Sequence, residues 1–333
     1  MKYIFARLLQ LPVLLLVVSM LVFVALRLGP GSPVDLATET VRDPAEIARI
    51  RHQFGLDQPV YIQYLHYIGG VLRGDFGRSF FGNTPVAPVI AQRLPATLEL
   101  ALLSMFIGTL LGIVIGVAAA IWRNTLLDTC ARTFALVGIS MPTFWLGLMF
   151  ISVFAVRFGW LPVGGRYDAR TPFRTITGFY VLDSILKGDF RSAWESLKHL
   201  FLPALVLGLF VSGFIIRIVR VTTLDVLRQD YIRTARAKGL RERSVVLRHG
   251  VRNALLPIAT ILGLQFGNLL GGAAVTETVF SWPGLGKLMI DAIGSHDFPQ
   301  VEASIMLLAI IYVVVNLVVD ILYAVIDPRI RNG

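Results

Sequence analysis

Uncharged apolar segments recur along the chain, and their lengths predict helices that cross a membrane. Most of them reach the roughly 20 residues that an α-helix needs to cross a bilayer core. The fourth and the sixth are slightly shorter, and each continues past one charged residue into a further apolar stretch. The six segments are Leu8 to Leu26, Leu100 to Trp122, Thr133 to Val156, Leu200 to Ile216, Ala254 to Thr276 and Ala303 to Val319. The pattern predicts an all-α integral membrane protein with six transmembrane helices.

Composition excludes a large soluble core as the source of these segments. The chain is 55% hydrophobic and only 16% charged, with a mean hydropathy of +0.71, whereas a soluble core would give short apolar runs interrupted by charges. The first segment follows Lys2 and Arg7, as in a secretory signal peptide. It is too long for one, and Arg27 to Gly31 is a poor cleavage site, so we expect an uncleaved first helix.

Charges between the segments predict the orientation of the helices. With a cytoplasmic amino terminus, the inner pieces 1–7, 123–132, 217–253 and 320–333 contain 16 of the 31 Lys and Arg residues but six of the 21 acidic residues. This asymmetry follows the positive-inside rule, so we expect both termini in the cytoplasm. Membrane lipid and topology account for a pI of 10.1, and we expect no nucleic-acid partner.

The predicted domain organisation follows from these boundaries. Residues 1–28 hold the first transmembrane helix, 29–97 form an extracytoplasmic region, 98–328 form the core with helices two to six, and 329–333 form a cytoplasmic tail. The inner loop 217–253 belongs to the core.

Local patterns predict three short helices and a turn outside the membrane. Two helices, Asp43 to Phe54 and Val60 to Leu72, form a small extracytoplasmic region, and a third lies near Phe179 to Leu186. The stretch from Gly74 to Ser79 favours a structural turn, with a docking surface for an external partner as the alternative. In the third span, Pro142 predicts a kink that either packs or lines a pathway.

The loop 217–253 is the most basic part of the chain. Asp230 is predicted to cap a short helix, Gly239 to end it in a turn, and a second helix to begin at Arg241. Two short helices that are continuous with a transmembrane helix would transmit the movement of a soluble, energy-consuming partner protein to that helix. From physics alone, an ordinary basic loop remains the alternative.

No catalytic or metal-binding constellation is predicted. The sequence has no Walker A motif, no His-Glu-x-x-His and no Gly-x-Ser-x-Gly, its five histidines are scattered, and Cys130 is its one cysteine. The chain therefore binds no cofactor in this interpretation, and a membrane enzyme is disfavoured. A channel or secondary transporter is also disfavoured, because neither buried paired charges nor inverted repeats are recognised.

Five segments resemble the dipeptide/oligopeptide/nickel family of ABC importer permeases, in which the inner loop is called the EAA loop. They are Asp230 to Gly239, Arg252 to Pro257, Thr276 to Gly286, Gly74 to Gly77 and Asp327 to Ile330. The chain departs from the general pattern at Arg233-Thr234, which occupy the Glu-Ala positions, and in a longer spacing between Gly239 and Leu256-Pro257. Both departures are typical of the peptide subgroup.

The resemblance implies a type I ABC importer permease fold in a bacterial inner membrane. Its implied partners are a second permease subunit, two cytoplasmic ATPases that use ATP and Mg, and an extracytoplasmic binding protein. The implied coupling helix, which docks into an ATPase, contains Tyr231, Arg233, Thr234, Ala235, Arg236, Ala237, Lys238 and Gly239. The implied substrate is a dipeptide or oligopeptide, with nickel, metal chelates or other peptide-like solutes as the alternative.

Pathway residues are suggested at two places. Gln265 and Asn268 are polar residues within the fifth span, where they either line a pathway or take part in close helix packing through neighbouring glycines. The segment Phe280, Ser281, Trp282 and Pro283 is predicted to form a short re-entrant or interfacial turn, with Trp282 at headgroup depth. Its position in the family suggests a gate near the outer mouth.

Overall fold

The fold is built from helices of very different lengths. The computed structural model describes residues 2–28, 55–167, 175–241, 244–246 and 252–326, and the single positions 45, 48, 49 and 52. Its helices are α1 (Lys2–Leu28), α2 (Val60–Val71), α3 (Val86–Ile121), α4 (Leu126–Ser140), α5 (Thr143–Phe150) with a π-helical continuation (Ile151–Arg157), α6 (Tyr180–Leu186), α7 (Phe190–Leu227), α8 (Asp230–Ala237), α9 (Arg252–Val279), α10 (Leu285–Gly294) and α11 (Phe298–Ile326). These helices confirm the predicted all-α class.

Five predicted spans coincide with helices that are long and apolar enough to cross a membrane. Four lie within α1, α3, α7 and α11, and α4 with α5 and its continuation makes a fifth if the bent pair is one span. The remaining predicted span, Ala254 to Thr276, lies within α9, which has 28 residues. By length and apolarity, the described residues support up to five crossings, so the sixth stays a prediction.

The third span is broken where the sequence predicts a kink. Between α4 and α5 the axis turns by 102°, and Met141 and Pro142 both have extended backbone. Pro142 has no N–H to donate to the carbonyl of Gly138, and the residue before a proline disfavours helical geometry. The break is therefore encoded locally.

Helices α3 and α7 form the centre of the bundle because glycines allow their backbones to approach closely. A Cβ atom at Gly108 would lie 2.9 Å from the carbonyl oxygen of Gly208, and one at Gly116 would lie 2.8 Å from Val219. Gly108 and Gly116 lie on the same face of α3. The adjoining apolar core includes Leu100, Leu207, Val211, Ile215 and Val219.

The connection between α1 and α3 contains one confirmed helix and one confirmed turn. Helix α2 matches the prediction for Val60 to Leu72, whereas the helix predicted from Asp43 to Phe54 lies outside the described residues except for isolated positions. Gly74 and Gly77 both have φ of +78°, and the Asp75 carboxylate accepts the Gly77 N–H at 2.9 Å. The stretch is a turn stabilised by its own carboxylate.

A buried carboxylate organises the loop before α6. Helix α6 itself confirms the helix predicted near Phe179 to Leu186. Asp183 accepts backbone N–H groups from Ile176, Thr177 and Gly178 at 2.9–3.2 Å and the Thr177 hydroxyl at 2.6 Å. Burial of the carboxyl opposes its ionisation, but these hydrogen bonds outweigh burial and lower the pKa of Asp183 below its usual value. The carboxylate thus takes the place of backbone pairing in this loop.

We expect Asp183→Asn to loosen this loop, because an amide oxygen replaces two carboxylate oxygens. Loss of ~1–3 kcal/mol of hydrogen bonding should raise amide hydrogen exchange at residues 176–178 by about 10- to 100-fold, measured by mass spectrometry. In the unmodified chain the carboxylate stabilises the loop above its ordinary pKa of about 3.9. That contribution is lost as pH falls through the lowered folded-state pKa.

The matched control is Asp291→Asn. Asp291 is exposed and its carboxylate binds the Lys287 ammonium at 2.8 Å, so its replacement should leave exchange at residues 176–178 unchanged. Equal exchange in the Asp183 variant and the unmodified chain would contradict the role assigned to this carboxylate.

Candidate functional site

A cavity of about 310 Å³ lies beside the break between α4 and α5. Its walls come from three helical segments: the break itself, the middle of α7 and the middle of α9. The lining residues are Ile139, Ser140, Met141, Pro142, Thr143, Leu207, Phe210, Val211, Gln265, Asn268, Leu269 and Gly272. Its volume is at the lower end of the range for small-molecule sites. The α7 and α9 walls lie near the midpoints of their helices, and the break lies midway between the start of α4 and the end of the π-helical continuation, so the cavity lies at mid-depth in the bundle.

Gln265 and Asn268 provide the amide groups of the cavity. The Asn268 Nδ2 donates to Gln265 Oε1 at 3.1 Å, which fixes the two side chains against each other on one face of α9. Gln265 is only 6% exposed, and its Nε2 is buried without a hydrogen-bond partner among the described residues. A buried unsatisfied donor is costly, so this group would gain from a ligand that accepts a hydrogen bond.

The break adds backbone polarity to the same cavity. The helix start at Thr143 leaves N–H groups without partners inside α5, and the proline leaves the Gly138 carbonyl without its usual donor. Such irregular backbone is tolerated at membrane depth where it is buried in protein or lines a water-filled cavity. The break and the amide pair are far apart in the sequence, and the structure brings them together.

The glycines of α9 differ in what they do: one allows close helix packing and another lines the cavity. A Cβ atom at Gly267 would collide with the Tyr312 ring of α11, so this glycine serves close helix packing. At Gly271 and Gly272 an added Cβ would meet no atom within 4 Å, and Gly272 lines the cavity.

The segment Phe280 to Pro283 follows the carboxyl end of α9, beyond the mid-helix amides, and is absent from the described lining of the cavity. Trp282 is fully buried, and its indole Nε1 donates to the Ala96 carbonyl at 2.9 Å. The ring packs inside the chain, where α3 supplies the acceptor for the indole N–H, and the headgroup depth predicted for this indole stays an expectation. The gate assignment stays a prediction.

Buried hydrogen bonds hold this segment in place. Phe280 is buried and its carbonyl accepts the Gly165 N–H at 2.9 Å. Ser281 is exposed with φ of +48°, a conformation that a residue with a side chain rarely adopts. The fully buried Glu277 accepts the Thr97 hydroxyl at 2.7 Å and the Lys287 N–H at 2.8 Å, which joins α9 to α3 and to the start of α10.

Ion pairs with buried carboxylates are present, although no sequence pattern predicts them. Glu99 and Arg166 are 8% and 6% exposed and meet at 2.6 Å, and Arg27 meets Glu302 at 2.5 Å. The expectation that paired charges are absent is therefore wrong. The partners are far apart in sequence, and Glu99 directly precedes a predicted span, so each resembles an ordinary charge at a span boundary. Both pairs lie toward the α6 end of the bundle, away from the mid-depth cavity.

Helix α8 lies at the other end of the bundle and exposes most of its predicted coupling residues. Ile232 is fully buried and Ala235 is 8% exposed, and both pack against Val245. The exposed residues are Tyr231, Arg233, Thr234, Arg236, Ala237, Lys238 and Gly239. The Ala235 side chain shares the inward face with Ile232 and anchors α8 to the chain itself, and its membership of the coupling helix stays a prediction.

Helix α8 is short and firmly attached to α7. Two residues, Arg228 and Gln229, separate the helices, and their N–H groups donate to carbonyls in the last turn of α7. The predicted cap at Asp230 is wrong, since Gln229 is the N-cap residue and no side chain caps the helix. The turn predicted at Gly239 is confirmed by its φ of +75°. The second helix predicted from Arg241 lies largely outside the described residues.

Comparisons with known proteins agree with this architecture. The family described as "Binding-protein-dependent transport system inner membrane component" matches residues 112–332, and its N-terminal companion matches residues 1–101. The fold is similar to that of the MetNI methionine ABC transporter in an inward-facing conformation, with a TM-score of 0.56 and 17% identity over 72% of this chain and 96% of that one.

Curated relatives match over almost the whole length. The di/tripeptide transport system permease protein of Pseudomonas aeruginosa is 46% identical over 95% of this chain and 94% of its own. The dipeptide transport system permease protein of Alkalihalophilus pseudofirmus is 42% identical, and the glutathione transport system permease protein of Escherichia coli is 43% identical, each over 99% of both chains. The chain belongs to the family of binding-protein-dependent transport system inner membrane components, the permease subunits of ABC importers.

Proposed function

We propose that this chain is one permease subunit of an ATP-driven importer of dipeptides or oligopeptides. A second permease subunit completes the pathway, an extracytoplasmic binding protein delivers the peptide, and two cytoplasmic ATPases use ATP and Mg. The observation that carries the proposal is the mid-depth cavity at a broken helix, bordered by α7, which leads directly into the exposed helix α8. The names of the peptide permease relatives support the choice of substrate.

The proposed orientation places α8 and both termini in the cytoplasm of a bacterium, with the chain in the inner membrane. Arg233, Arg236 and Lys238 are exposed on α8, and basic residues favour the cytoplasmic side. The cavity then lies between an outer face with α2 and α6 and an inner face that meets the ATPases. Arg233 is 79% exposed in its side chain, which suits contact with an acidic cleft.

The cavity chemistry favours a peptide as the transported solute. A peptide bond presents one carbonyl acceptor and one N–H donor, and the Gln265 amide together with the opened backbone of the break offers the complementary groups. The walls at Leu207, Phe210 and Leu269 are apolar and would contact side chains of varied shape. The alternative solute is nickel, a metal chelate or another peptide-like molecule that uses the same architecture. Competition with dipeptide uptake distinguishes these solutes.

We expect Gly239→Glu to abolish coupling to the ATPases while leaving insertion of the chain intact. A negatively charged side chain at a basic docking surface should lower uptake by about tenfold or more, equivalent to ~1.4 kcal/mol of lost interaction. Uptake of a radiolabelled dipeptide and ATPase activity would be measured with the complete transporter in proteoliposomes.

Gly188→Glu is the matched control for this variant. Gly188 has φ of +70°, and an added Cβ at either glycine meets no atom within 4 Å, so the backbone strain is the same. Gly188 lies between α6 and α7, at the other end of the bundle, and its variant should keep both uptake and ATPase activity. Normal uptake by the Gly239 variant would refute the assignment of α8 as the coupling helix.

We expect Gln265→Leu to reduce dipeptide uptake by about 5- to 30-fold, because loss of one or two hydrogen bonds costs ~1–2 kcal/mol. Gln10→Leu is the control, since Gln10 is an exposed glutamine on α1. Transporter with the Gln10 change should take up dipeptide normally. Equal uptake by both variants would exclude Gln265 from the pathway, and inhibition of uptake in the unmodified transporter by free Ni²⁺ would favour the metal alternative.

A further inference from the structure

A buried ion pair joins the ends of α4 and α7 that lie nearest to α8. Asp128 is fully buried in the first turn of α4, and its two carboxylate oxygens accept from Arg220 Nε at 2.6 Å and Nη2 at 2.8 Å. The same carboxylate accepts the Asn124 N–H at 3.0 Å. A two-pronged arginine–carboxylate contact fixes both distance and orientation, so it restrains the two helices more strongly than a single contact.

Close backbone packing continues this connection toward the cavity. A Cβ atom at Gly213 of α7 would lie 2.7 Å from the Ala135 carbonyl oxygen of α4, and one at Gly138 of α4 would lie 3.2 Å from the Leu209 carbonyl oxygen. Asp128, Ala135 and Gly138 therefore contact α7 at successive levels along α4. The contacts end where the helix ends, at the break beside the cavity.

The break gives α4 and α5 different packing neighbours. Helix α4 is attached to α7 along its length, whereas the extended residues Met141 and Pro142 form a short connection to α5. Beyond the break, Gly147 of α5 packs against Phe280, which follows α9. A movement of α7 at its α8 end would thus carry α4 with it, whereas α5 packs against Phe280 and against Leu202 and Val206 in the first half of α7, so the angle at the break would change.

We propose that Asp128 and Arg220 are positioning residues that transmit the movement of α8 to the mid-depth cavity. The proposal rests on the proposed function, since it assumes that an ATPase moves α8. Movement of α8 shifts α7 through the two-residue connection, the ion pair makes α4 follow, and the break at Pro142 changes the shape of the cavity. The pair acts through the helices and does not contact the transported solute.

The cost of burying this pair supports a specific role. Charges removed from water lose hydration, and a buried pair often contributes little net stability compared with apolar residues of similar size. Arg132 also lies near Asp128, at 3.6 Å, but its side chain is 53% exposed. It therefore offers a charge contact to the same carboxylate without a rigid link to α7.

The test compares Asp128→Asn and Arg220→Lys with the control Arg132→Gln in the complete transporter in proteoliposomes. The measured quantity is the number of dipeptides transported per ATP hydrolysed in the presence of the binding protein. We expect both pair variants to hydrolyse ATP but to lower this ratio at least about fivefold, and Arg132→Gln to keep it. A role in stability alone would lower transport and hydrolysis in equal proportion.

A second measurement follows the pair through the transport cycle. A pair of cysteines replaces Ala131 and Ile216, which are buried and lie between the ion pair and the Ala135–Gly213 contact, so Asp128 and Arg220 stay intact; Cys130→Ser removes the native thiol. We expect a short bifunctional thiol reagent to cross-link this pair at the same rate in nucleotide-free transporter and in transporter trapped with ATP. Cysteines replacing Met141 and Leu269, on opposite walls of the cavity, should change their cross-linking rate between the two states.

Two results would overturn the proposal while leaving the proposed function intact. One is an unchanged transport ratio in Asp128→Asn and Arg220→Lys, and the other is a state-dependent cross-linking rate at positions 131 and 216, where the ion pair is intact. Failure of the proposed function would be recognised separately, because the unmodified transporter would then show no dipeptide uptake.

Discussion

The structure depends on the requirement that backbone polar groups within a membrane find partners inside the protein. A helix meets this requirement except at its two ends, which is why long helices form the predicted spans. The break at Met141 and Pro142 violates it locally, and the same region gathers Gln265 and Asn268 from α9. Polar groups that lipid cannot satisfy are thus concentrated in one mid-depth cavity. This concentration is what a transported polar solute requires.

Helix α7 connects the features on which the proposed function rests. It packs against α3 through glycines, borders the cavity through Leu207, Phe210 and Val211, and continues into α8 after two residues. With 38 residues and a rise of about 1.5 Å per residue, it extends well beyond a hydrocarbon core of about 30 Å. One rigid element therefore spans the distance from the cavity to the exposed basic helix.

The described ion pairs lie at the two ends of the bundle, and the mid-depth cavity differs from both ends in its chemistry. Glu99 and Arg166 stabilise the α6 end, where Glu99 also accepts the Val181 N–H at 2.9 Å. Asp128 and Arg220 join two helices near α8. The mid-depth cavity has amides, hydroxyls and apolar side chains in its described lining instead. Charge at the ends and neutral polarity at the centre suit a pathway that admits peptides of differing side chains.

The sequence by itself determined the helical class, five of the span positions, the break at Pro142 and the turn at Gly239. Each is a local property: an apolar length, a missing N–H or a residue that tolerates positive φ. Tertiary structure decided that Trp282 is buried against Ala96, that Ala235 faces inward and that Asp128 pairs with Arg220. These outcomes depend on which helices become neighbours. Such contacts join residues far apart in the chain, so local hydrophobicity and periodicity contain no record of them.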